Sequence, residues 1–154
     1  MEKQKIDFED FTFNLILEKE LERGSISEET YAILKSQHEQ AVVTYEYTQV
    51  GFFYHYSFDG NIQAIQEKQN GVLGGFIFEV TDIPERLIEI ILFVRDGIIA
   101  CTEGHGYGEY LSEEFFDKNK LTEYDNTKHT AKRSGCNILK RSRILFRWLW
   151  RKKD

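Results

Sequence analysis

The chain has 154 residues, 41% of them hydrophobic, including 12 Phe and 8 Tyr. That is enough apolar material for one compact domain, and it excludes disorder along the whole length. The formal charge of −6 hides a division: residues 1–117 carry 8 Lys/Arg against 23 Asp/Glu, while residues 118–154 carry 12 against 3. An acidic body and a basic tail imply different partners for the two parts, or contact between them.

The first predicted element is a helix from Asp7 to Arg23. Phe8, Phe11 and Leu15 share one helical stripe, with Phe13, Ile16, Leu17 and Leu21 beside it. Gly24 suits a left-handed stop. Ser27 then caps a second helix, Glu28 and Glu29 favour its first turn, and Ile26 and Tyr31 are placed for a hydrophobic staple. This helix is expected to end near Gln40, completing a helical hairpin.

From Val42 the period changes to two. Val43, Tyr45 and Tyr47 alternate with more polar neighbours, and Phe52, Tyr54, Tyr56 and Phe58 form the next alternating run. Phe76 to Val80 reads as a third strand and Leu87 to Arg95 as a fourth. Asp96-Gly97 is the strongest hairpin signal, because both central positions of a type I′ turn need positive φ. Ile98 to Glu103 returns from that turn. The expectation is an α+β fold, its helical hairpin packed on a mostly antiparallel four- or five-stranded sheet. Ser112 opens a short helix through Phe115 and Phe116, residues 118–135 read as a polar linker, and residues 136–154 as a basic amphipathic helix.

Cys101 and Cys136 form neither a disulfide framework nor a metal-type spacing, and read as reduced thiols. The opening stretch MEKQKIDFEDF lacks the apolar region of a secretory signal, and the run Ile88–Val94 is too short to span a bilayer. These features point to the cytoplasm. No serine or cysteine nucleophile signature accompanies the four histidines, and Gly74-Gly75 lacks the Lys-Ser/Thr of a phosphate loop. No catalytic residue, metal or cofactor is expected.

Three constellations carry the functional reading. The segment Glu103-Gly104-His105-Gly106-Tyr107-Gly108-Glu109 reads as a tight turn after a strand, its glycines at positive φ and Tyr107 packed inward. Alternatively, Glu103, His105, Tyr107 and Glu109 meet a protein partner there, or a metal. The ladder Tyr45, Tyr47, Phe52, Tyr54 and Tyr56 is either a sheet core or a recognition surface. The surrounding negative charge argues against nucleic acid on the acidic body. In the tail, Ile138, Leu139, Leu145, Phe146, Trp148, Leu149 and Trp150 fall on one arc, with Lys140, Arg143, Arg147 and Arg151 largely opposite. That helix fits the body, an acidic partner, or an anionic membrane surface.

Three stretches also resemble a family of small, uncharacterised bacterial α+β proteins. They are Gln40-Ala41-Val42-Val43 leading into Tyr45–Phe53, Gly75–Val80, and Leu92–Gly97 followed by Glu103-Gly104 and Tyr107-Gly108-Glu109. The resemblance covers residues 8–116. His105 stands where relatives carry an aromatic, and Tyr110-Leu111 where they carry Trp-Pro. Some members are encoded beside polymorphic toxins, so the resemblance implies a non-enzymatic immunity protein that neutralises a toxin. An acidic body suits a basic toxin domain. The alternative is a peripheral membrane or adaptor protein tethered by its tail.

Overall fold

The structure, a computed structural model, describes residues 2–81, 86–107 and 117–124. Helix α1 spans Glu2–Glu22 and α2 spans Glu28–Gln40. Six strands follow: β1 Val42–Tyr47, β2 Gly51–Ser57, β3 Gly71–Val80, β4 Leu87–Arg95, β5 Ile98–Tyr107 and β6 Leu121–Glu123. All pair antiparallel in one sheet of order β1-β2-β5-β4-β3-β6.

The hairpin of helices closes as its local chemistry requires. Gly24 takes φ +66°, and the amides of Gly24 and Ser25 donate to the carbonyls of Leu21 and Glu20. That pair of bonds satisfies carbonyls that the last turn of α1 would leave open. Ser27 accepts at 3.2 Å from the Thr30 amide to cap α2. Glu67, from the loop before β3, adds a second cap by accepting from the Ser27 amide and from the hydroxyls of Ser27 and Thr30. Those bonds hold its carboxyl down at about 2.

Both helices pack on one face of the sheet, α1 against β3 and β4 and α2 against β5. The core between them contains Phe13, Ile16, Leu17, Leu34, Phe52, Tyr54, Ile88, Ile90 and Leu92, all nearly inaccessible. Fully burying one such side chain stabilises by roughly 1.5–3 kcal/mol. The aromatic ladder belongs to this inner layer: Phe52, Tyr54 and Tyr56 are buried, with Tyr45 and Tyr47 packed against them. Asp96 and Gly97 take φ +52° and +78° and turn β4 into β5.

Four sequence expectations need correction. The sheet has six strands rather than four or five. Residues 121–123 are strand β6 on the edge of β3, not linker, and residues 118–120 form a 3-10 turn capped by Asp117. The compact unit therefore runs to Tyr124. The segment Glu103–Tyr107 is not a turn; it continues β5 against β4. Its glycines have no positive φ. Gly104 lies opposite Phe52, and a Cβ there would stand 2.1 Å from the ring, so the missing side chain makes room for an aromatic. Tyr107 faces away from the helices rather than packing inward. The expected short helix after Ser112, Glu109, and the tail with Arg143, Arg147, Trp148, Trp150 and Arg151 lie outside the described residues.

Candidate functional site

Alternation along β5 places Thr102, Gly104 and Gly106 toward the helices and Cys101, Glu103, His105 and Tyr107 on the opposite, outer face. Three of the residues singled out from sequence, Glu103, His105 and Tyr107, thus share one surface. Register sets their neighbours. One row across the strands reads Glu46, Phe53, Glu103, Ile91; the next reads Gly51, His105, Glu89, Ile77. Carboxylates and apolar groups alternate within the first row. No described helix packs on this face.

Glu103 and Glu89 sit diagonally on adjacent strands, their backbones about 8 Å apart given ordinary strand spacing. Burial, with Glu89 adding its negative charge, pushes the Glu103 carboxyl up to about 7. The Tyr107 hydroxyl donates to Glu89 Oε2, and the His105 ring meets Tyr107 edge-on at 5.4 Å. Farther out, His55 stacks parallel to Phe53 at 5.9 Å, and its Nε2 lies 3.4 Å from Glu46 Oε2. Burial, followed by the charges of Glu103 and Glu46, pushes the Cys101 thiol up to about 12. A thiol held protonated in this way is a poor nucleophile. Among the described residues no three His, Cys, Asp or Glu side chains converge in a way that could hold a metal ion.

A second polar cluster lies inside the fold, and the sequence reading did not select it. Tyr56 donates at 2.7 Å to Glu9 Oε1, and His38 Nε2 lies 2.9 Å from the same oxygen. Tyr56 also bonds Thr102 Oγ1 at 2.8 Å, and Phe13 stacks on His38 with centroids 4.0 Å apart. Burial and the adjacent Glu9 raise the Tyr56 hydroxyl far above its ordinary value, so it stays a donor. The cluster joins α1, α2, β2 and β5 and is largely shielded from solvent, with Glu9 4% and Thr102 0% exposed and His38 partly so. Its geometry is that of a clamp between helices and sheet. The available signal was phase: Glu9 and Glu20 both keep step with the buried stripe Thr12, Phe13, Ile16 and Leu17 of α1.

Glu20 has a comparable task at the other end of α1. It accepts at 3.2 Å from the amide of Gly74, where a β-bulge interrupts β3 and both Gly74 and Gly75 take positive φ. The two acidic residues buried in α1 are accounted for by internal bonds. On the outer face Glu89 accepts from the Tyr107 hydroxyl and Glu46 faces His55, but among the described residues no ion pair reaches Glu89 or Glu103. Among the described residues, too, no helix is long and apolar enough to cross a membrane. Comparison with models of protein families, with curated proteins and with solved structures gives no match.

Proposed function

We propose that the chain is a non-enzymatic binding module, foremost an immunity protein that neutralises a basic bacterial toxin domain, and that the outer sheet face receives the partner. The observation that carries this reading is the meeting of Glu103, His105 and Tyr107 with Glu89, Glu46 and Phe53 on one surface. Half-buried aromatics beside carboxylates suit protein recognition, and negative charge speeds encounter with a positive partner. The resemblance to proteins encoded beside toxins supports the biological setting. Co-expression with the toxin of a neighbouring gene tests it: growth is restored by the wild type and lost again with Glu103→Lys. Failure of the wild type to protect, with both proteins folded and present, removes the reading. The alternative, a peripheral membrane module held by residues 136–154, predicts binding to anionic vesicles and no protection.

A further inference from the structure

We infer that the partner presents a basic amphipathic helix to the outer face, laid across β2, β5 and β4, with its cations directed to Glu46, Glu103 and Glu89 and its apolar side chains against Phe53 and Ile77. The inference rests on the reading of this face as the partner surface, and names what that surface takes.

The spacing favours a helix. Glu46 and Glu103 are two strands apart in one row, which is about 10 Å. Two turns of an α-helix advance about 11 Å, so cations at i and i+7 match that pair. Glu89 lies one strand and one row beyond Glu103, within reach of a third cation on the same helical face. Phe53 stands between the first two carboxylates, where a helix places the apolar residues of its intervening turns. An added β-strand would dock at a sheet edge through its backbone, leaving these side chains unread. The Glu103 carboxyl, raised first by burial and further by Glu89, points the same way, since a cation between the two carboxylates relieves the repulsive part.

The test uses the full chain and a labelled synthetic helix of about five turns, with arginine every seventh residue and leucine in the turns between, all on one face. Its scrambled sequence serves as control, and binding is read by fluorescence anisotropy. The inference predicts that the helix binds at least ten times more tightly than the scramble. Glu103→Gln or Glu89→Gln weakens it about tenfold, while Glu28→Gln, on α2, leaves it unchanged. Equal binding of the scramble overturns the inference, because charge alone then suffices. So does an equal loss with Glu28→Gln, which would mean that no particular face is used. A self-associated chain blocking the face, seen by sedimentation as a dimer that Phe53→Ser dissociates, also overturns it. Scoring the variants in co-expression separates this inference from the functional reading. Protection lost with Glu89→Gln, but no preference for the helix, keeps the face and overturns the helix.

Discussion

Replacing Glu103 by glutamine should leave the protein unchanged in acid and stabilise it in mild alkali. The folded chain holds the Glu103 proton up to about pH 7, whereas the ordinary value is 4.5. The proton is therefore bound more tightly by the folded state, and this group's stabilising contribution is complete below about pH 4.5 and lost as the pH rises through about 7. At roughly 1.4 kcal/mol for each pH unit, ionising Glu103 in place costs about 3 kcal/mol. The side chain keeps contact with solvent, and screening reduces this to about 1–2 kcal/mol. Glutamine preserves shape and removes the charge. Wild type and Glu103→Gln should unfold together near pH 4, and near pH 8 the variant should be the more stable by about 1–2 kcal/mol, or about 3–8 °C in Tm. Urea unfolding followed by circular dichroism measures both, with equal m-values as the check on two-state behaviour. A constant offset between the two proteins across that range would refute the reasoning, because the carboxyl would then not be strained by its surroundings.

The remaining predictions concern the frame that holds the site. Gly104→Ala drives a methyl into the Phe52 ring and should cost about 1–3 kcal/mol; adding Phe52→Leu should recover part of that loss in a thermal melt. Tyr56→Phe removes the buried donor to Glu9 and should cost about 1.5–3 kcal/mol, as bonds to charged groups do. A double-mutant cycle with Glu9→Gln should then show clear coupling, and additive losses would mean that the clamp contributes little. A chain ended after Tyr124 should unfold cooperatively. One ended after Asp117 loses the pairing of β6 with β3 and the 2.6 Å Lys19–Glu123 ion pair, and should melt at lower temperature.

Features whose energetics are local can be read directly from the residues. The stop at Gly24, the cap at Ser27 and the turn at Asp96-Gly97 are each decided within a few residues by φ preference and nearby bonds, and all three stand in the structure. Period-two alternation likewise placed Phe52, Tyr54 and Tyr56 on a single face, although only packing decided that this face is the core.

Whatever depends on register emerges only when the strands pair. Strand β6 is three residues long, too short to show a period, and it exists because β3 offers an edge. Gly104 and Gly106 read as turn formers within their own segment, yet Phe52 across the ladder turns that absence of side chain into close packing. Glu89 and Glu103 lie 14 positions apart in the chain and become neighbours only through the β4–β5 pairing. Glu9, His38, Tyr56 and Thr102 likewise come from four elements. No local signal could report such meetings, because the energy that fixes them is the burial of a shared core, which belongs to the fold and to no single segment.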